Sequence, residues 1–247
     1  MQKHTLAIAF LATLPMLGSG AVLAEDSPIS ANVSLTSDYA YRGISQTDEK
    51  MALQGGFDYA HSSGLYVGVW GSNVSWLSDL EQGTDENSGN SLEVDVYAGY
   101  KGTVGAIGYD VGLLQYVYPG EFDTGWRNTI GLKNPNTLEA YVGLSWEFLS
   151  FKYSNSLTNL FGAPDSEGSQ YFDLSAAYEV IEGTTLNAHY GRQLITGPAK
   201  SYSDWKVGVS QAVVGVTVGL HYVDTDLKDK SDFDADARYV VSVSKAF

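Results

Sequence analysis

The 247-residue chain contains no cysteine. Disulfide staples, thiolate metal sites, c-type haem attachment and a cysteine nucleophile are therefore excluded. Basic residues are few: 14 Lys and Arg stand against 29 Asp and Glu, a formal charge of −15 at pH 7. So acidic a chain repels phosphates, and nucleic acid is not expected as a partner. Long apolar runs are missing as well. The longest, from about Thr5 to Leu17, is short for a spanning helix, and Pro15 and Gly18 interrupt its end. With Lys3 ahead of it and Val22-Leu23-Ala24 behind, it reads as a signal peptide over residues 1–24, cut before Glu25. Residues 25–247 then form one domain. Without Lys3 its 13 basic and 29 acidic residues carry a formal −16.

What the chain does have is Gly 27, Tyr 17 and Trp 5, set in short alternating runs. No apolar stretch after the signal approaches the roughly 18–20 residues of a transmembrane helix. Insertion into a membrane then requires a closed β-barrel. In the first run Ile29, Ala31, Val33, Leu35, Tyr39 and Tyr41 fall on one face, with Ser30, Asn32, Ser34, Thr36, Asp38 and Arg42 on the other. Eleven further period-two segments begin near Met51, Leu65, Leu92, Ile107, Leu138, Phe148, Phe172, Leu186, Tyr202, Val216 and Ala237. The third runs to about Trp76. Twelve strands of about ten residues suit a transmembrane antiparallel up-and-down β-barrel.

The connections carry an independent signal. Those after even-numbered segments are tight: Ser62-Ser63-Gly64, Lys101-Gly102-Thr103, near Glu147, Ile181-Glu182-Gly183, and near Ala212-Val213. Those after odd-numbered segments are longer and polar, as in 77–91 and 119–136. Outer-membrane barrels have short periplasmic turns and longer outer loops. Aromatic residues gather in two bands: Tyr59, Tyr100, Tyr109, Trp146, Tyr178 and Phe247 near the tight turns, and Tyr39, Tyr41, Phe172, Tyr190 and Tyr239 near the long loops. Such girdles belong at the headgroup level. A soluble β-sandwich is the competing reading, since it alternates too.

Ser37-Asp38-Tyr39, then Tyr41-Arg42-Gly43-Ile44-Ser45-Gln46, resembles the N-terminal signature of the TorF-like porin family of proteobacteria. Gln54-Gly55-Gly56-Phe57-Asp58-Tyr59, Ser63-Gly64-Leu65-Tyr66-Val67-Gly68 and Glu93-Val94-Asp95-Val96-Tyr97-Ala98-Gly99-Tyr100 continue the likeness. It spans the mature chain and is densest in the first hundred residues. The resemblance implies an outer-membrane barrel with a channel role. The terminal Phe247 resembles the signal recognised by the barrel assembly machinery, although Lys245 departs from it.

By strand parity the pore-lining candidates are Asp38, Arg42, Asp58, Glu93, Asp95, Asp110, Glu139, Asp173 and Arg238. Glu179, Asp236, Lys152 and Lys206 fall on the same face, with Arg192 near a strand end. An excess of carboxylates favours cations; the competing reading is that the charges pair and fill the lumen. Arg42 reads better as a lock on a lumen carboxylate that fixes its loop than as a grip on an anionic solute. Asp224, Asp226, Asp229, Asp232, Asp234 and Asp236 read as a solvated loop rather than a calcium site, because the EF-hand glycine and glutamate are missing. No cofactor is expected.

The expected function is passive diffusion of small polar or cationic solutes. A non-conducting structural or binding barrel is one alternative. An outer-membrane hydrolase using His189 or His221 is another, although no nucleophile motif accompanies either residue. Expected partners are outer-membrane lipid, small polar solutes, and periplasmic chaperones with the assembly machinery. The sequence leaves monomer and homo-oligomer both open.

Overall fold

A computed structural model describes residues 27–227 and 234–247. The signal-peptide reading of residues 1–24, and Asp229 and Asp232, lie outside them. The elements are β1 (Ile29–Thr36), β2 (Ala40–Tyr41), β3 (Ile44–Ser45), β4 (Ala52–Ala60), β5 (Leu65–Asn73), α1 (Trp76–Leu80), β6 (Leu92–Val104), β7 (Ile107–Val117), α2 (Thr124–Ile130), β8 (Thr137–Trp146), β9 (Leu149–Ser156), β10 (Gln170–Ile181), β11 (Thr184–Leu194), β12 (Tyr202–Val213), β13 (Val216–Thr225) and β14 (Arg238–Ala246). Leu160–Gly162 forms one 3₁₀ turn.

Every strand except β2 and β3 belongs to one closed antiparallel barrel of twelve. Each pairs with its neighbours in sequence, and β1 closes on β14 through Asn32↔Ala246 to Thr36↔Ser242. Ala31 and Phe247 complete the seam with reciprocal backbone bonds, 3.1 and 2.8 Å.

The distribution of side chains is inside-out. Leu35, Phe57, Val96, Leu113, Val142, Leu174, Leu220 and Val241 face outward and are exposed, while Ser34, Gln54, Glu93, Asp95, Glu139, Asn187 and Asp204 are buried inside. A sandwich packs its apolar faces together; here the apolar face is the outer one. That removes the sandwich reading and makes the barrel transmembrane, since lipid is the solvent that covers such a surface.

The short-turn girdle is present: Tyr59, Tyr100, Trp146, Tyr178 and Phe247 are exposed on the outer face, with Tyr109 half-buried beside Tyr100. At the other end Tyr190 and Tyr239 face outward, but Tyr39 and Tyr41 do not. β1 stops at Thr36, and the chain that parity carried on to Arg42 turns into the barrel. Two turns also sit further along than expected. β6 continues to Val104 because Lys101, Gly102 and Thr103 pair with Asp110, Tyr109 and Gly108. β12 continues to Val213. Trp76, expected at the end of a strand, instead opens α1.

The long-loop end is capped by packed structure. Asp123 accepts from the Trp126 amide at 2.9 Å and starts α2; Gly131, at φ 81, ends it. Trp126 is buried, and its indole N–H donates to Glu81 at 2.7 Å, tying the 118–136 loop to the 74–91 loop.

Val214 and Gly215 make the tight turn between β12 and β13, with φ 48 and 80. A β-branched residue is strained at positive φ, and Val214 is fully exposed. Val214→Asn is therefore expected to stabilise the barrel by about 1 kcal/mol, measured by urea unfolding in lipid vesicles. Leu113→Arg, on the lipid face of β7, is expected to destabilise it by about 2–4 kcal/mol in the same assay.

Candidate functional site

The stretch after β1 is built to fold inward. Thr36 Oγ1 donates to the Asp38 carbonyl at 2.8 Å, bending the chain as β1 ends. Asp38 then accepts from Ser45 Oγ at 2.6 Å and Thr47 Oγ1 at 3.0 Å, drawing the base of the β2–β3 hairpin together. Arg238 on β14 donates to the same carboxylate at 3.1 Å, and both side chains are buried. At the tip, Arg42 and Gly43 have φ 47 and 80 between the paired Tyr41 and Ile44. Two successive positive φ values make the two-residue hairpin turn whose twist suits antiparallel strands.

The hairpin crosses the lumen. Arg42 Nη2 donates to both oxygens of Glu139 at 2.9 and 2.8 Å, and Nη1 donates to Gln193 Oε1 at 2.7 Å. Glu139 lies on β8, five strands from β1 by the shorter way around the ring of twelve. The guanidinium also lies 4.3 Å from the Tyr171 ring centroid. Beside it the Tyr41 and Tyr116 hydroxyls meet at 2.6 Å, and Phe161 packs edge-on against both rings. Tyr39 and Tyr118 donate to opposite oxygens of Glu93 at 2.7 and 2.5 Å. Burial, then the Glu93 carboxylate, pushes the Tyr39 phenol well above its usual range, so it remains a donor.

Toward the short turns the β4–β8 wall is tyrosine and carboxylate. Tyr66 donates to Asp110 at 2.6 Å and touches the Tyr141 hydroxyl; Tyr97 donates to Asp58 at 2.6 Å. Tyr66 and Tyr141 lie flat across Gly99 and Gly112, where an added Cβ would collide with the ring. The opposite wall is a chain of charges. His189 Nε2 is 2.8 Å from Asp204 and Nδ1 is 3.3 Å from Asp173. Tyr171 donates to Asp204 at 2.9 Å, and Ser175 donates to Asp173 at 2.5 Å.

All nine sequence candidates thus lie inside the barrel: Asp58, Glu93, Asp95, Asp110, Glu139, Asp173 and Arg238 on strands, Asp38 and Arg42 on the hairpin. Asp38 and Arg42 are not on the first strand, as parity had placed them. Glu179 and Asp236 are exposed, Glu179 bonded to the Gly183 amide in a short turn. The expected lock of Arg42 on a carboxylate is present, with Glu139 as the partner. Tyrosines are what the sequence reading passed over. Tyr66, Tyr97, Tyr116, Tyr141 and Tyr171 supply or share most hydroxyl contacts to the lumen carboxylates. Their parity matches that of Asp95 and Asp173, which was the available signal.

Ser175, His189 and Asp204 fall within bonding distance in series, Ser175 Oγ being 3.2 Å from His189 Nδ1. Ser175 nevertheless gives its proton to Asp173, and its strand pairs on both sides, so its amides are spent in the ladder rather than on an oxyanion.

Removing the Arg42 guanidinium strands a buried Glu139 carboxylate, a change of about 3–5 kcal/mol. Arg42→Ala is expected to destabilise the barrel by that order. Arg42→Ala/Glu139→Ala is expected to recover more than half of the loss, read by equilibrium unfolding in vesicles.

No curated protein sequence matches the chain. Among solved structures it is similar to a KdgM porin in complex with disordered oligogalacturonate: TM-score 0.52, 9% identity, 89% of this chain and 98% of that one covered. It is likewise similar to the NanC porin: TM-score 0.50, 12% identity, 88% and 98% covered. At such identities the likeness is one of fold. A family model matches residues 23–247, and the chain belongs to that family, described as bacterial protein of unknown function (Gcw_chp).

Proposed function

We propose that this protein is an outer-membrane channel for passive diffusion of small polar solutes, cations foremost, narrowed by the hairpin between β1 and β4. The observation that carries the reading is the hairpin itself. A polar, charge-lined interior runs through an apolar-faced barrel, and Arg42 spans it to Glu139 on the far wall. Residues 1–24 direct export, and periplasmic chaperones and the assembly machinery deliver residues 25–247 to the outer membrane. The resemblance of the Ser37–Gln46 stretch to TorF-like porins, and the fold shared with KdgM and NanC porins, support the channel role.

The pore-lining residues of this reading are Asp38, Arg42, Asp58, Glu93, Asp95, Asp110, Glu139, Asp173 and Arg238. Their carboxylate excess, concentrated on β4–β8, favours cations in transit. One observation favours a second reading, a non-conducting structural or binding barrel. Many lumen charges already have a partner, as in Arg42–Glu139 and Arg238–Asp38.

Single-channel recording in a planar bilayer under a salt gradient tests the reading. Discrete openings with a cation-selective reversal potential are expected. Asp58→Asn/Asp95→Asn/Asp110→Asn should move that potential toward zero, and Arg42→Ala should raise unit conductance at least twofold. A folded barrel silent both as wild type and as Arg42→Ala favours the non-conducting reading.

A further inference from the structure

The carboxylates of the lumen gather around one lysine. Lys152 stands on β9, and strand register places Asp173 of β10 on one side of it and Gly143 of β8 on the other. Gly143 pairs in turn with Asp110 of β7, so no side chain stands in the ladder row between the lysine and Asp110. Glu139 of β8 and Asp95 of β6 complete the set of carboxylates that attract the ammonium. Four strands thus turn acidic groups toward one cation.

That cation is bonded to none of them. The Lys152 ammonium lies 4.1 Å from the Tyr141 ring centroid and makes no hydrogen bond or ion pair among the described residues. The carboxylates differ in what else they meet. Glu139 is held by Arg42; Asp173 is flanked by His189, which with Lys206 also faces Asp204. Asp110 accepts from Tyr66 and has Lys101 across the ladder. Asp95 has least, for it is buried and its Oδ1 makes no hydrogen bond among the described residues. Set Lys152 aside, and these four carboxylates, with Glu93 near Asp95 and Asp204 beyond His189, outnumber Arg42, Lys101, Lys206 and His189 six to four. The place where the ammonium sits therefore attracts positive charge whether or not that charge is attached to the chain. It is reachable as well, since Lys152 borders a cavity of about 80 Å³ beneath the hairpin.

We propose that Lys152 is a tethered counterion: its ammonium fills the position that a monovalent cation takes among these carboxylates when the lysine is removed, and so limits how strongly the lumen prefers cations. A second cation entering that position meets the ammonium already there. The effect on selectivity rests on the channel reading; the occupancy of the position does not.

Two measurements on the full barrel test this. The first is the cation-to-anion permeability ratio in a planar bilayer under a potassium chloride gradient. Lys152→Met, which keeps the side chain's length without its charge, is expected to raise that ratio at least twofold. Lys152→Arg should leave it unchanged. Lys101→Met removes one positive charge from the lumen outside the cavity, and its shift should be the smaller. An unchanged ratio in Lys152→Met, or an equal shift in Lys101→Met, overturns the proposal while the channel reading stands.

The second measurement needs no current. Lys152→Ala removes three carbons and the ammonium, the outline of n-propylammonium. In detergent, n-propylammonium is expected to raise the unfolding midpoint of Lys152→Ala and to leave the wild type unmoved, with n-propanol as the uncharged control. Equal stabilisation of both proteins, or equal stabilisation by the alcohol, overturns the assignment. If the lysine variants do not fold alone, refolding of Lys152→Ala that depends on n-propylammonium supports it, and rescue by neither compound or by both overturns it. A wild type silent in the bilayer defeats the channel reading, and the detergent measurement still decides what position Lys152 fills.

Discussion

Lipid offers no hydrogen-bond partner to a peptide group, so a sheet that spans a membrane must leave no edge. Closure is the condition on which the rest of this molecule depends. It is met by twelve strands in sequence order and by the β1–β14 seam, where Ala31 and Phe247 bond reciprocally. With the exterior given over to lipid contact, polar side chains have one place to go. The lumen therefore gathers buried carboxylates and bases that a soluble domain would keep on its surface.

Burying so many charges is tolerable only when they find partners. Two devices supply them. Tyrosines donate to Asp58, Glu93, Asp110 and Asp204, several lying across glycines of a neighbouring strand that make room for the ring. The hairpin supplies the second, carrying Arg42 across the barrel to Glu139 and presenting Asp38 to Arg238. The same contacts that satisfy buried charge narrow the lumen. Stability and the width of the lumen are consequently coupled through Arg42. A variant that widens the lumen also strands a carboxylate.

Much of the architecture was legible in the chain. Period-two alternation located all twelve barrel strands, because lipid on one side and polar lumen on the other impose opposite demands on successive residues. Parity sorted Asp58, Glu93, Asp95, Asp110, Glu139 and Asp173 onto the inner face. Parity failed at Tyr39 and Tyr41. Alternation continues through residues 37–42, yet that stretch leaves the sheet and enters the lumen, a change of environment that local pattern does not record. The turn placed at Lys101–Thr103 missed for a similar reason, since the strand runs on wherever β7 offers a ladder partner.

The sequence by itself determined the class of object: a closed barrel with an apolar exterior and a charged interior, because residue order fixes which side each strand shows to lipid. The tertiary structure decided what the interior is. Which carboxylate meets which donor, and that Arg42 reaches β8, are questions of distance across a ring. Residues nearly a hundred positions apart become neighbours there only once the sheet has closed.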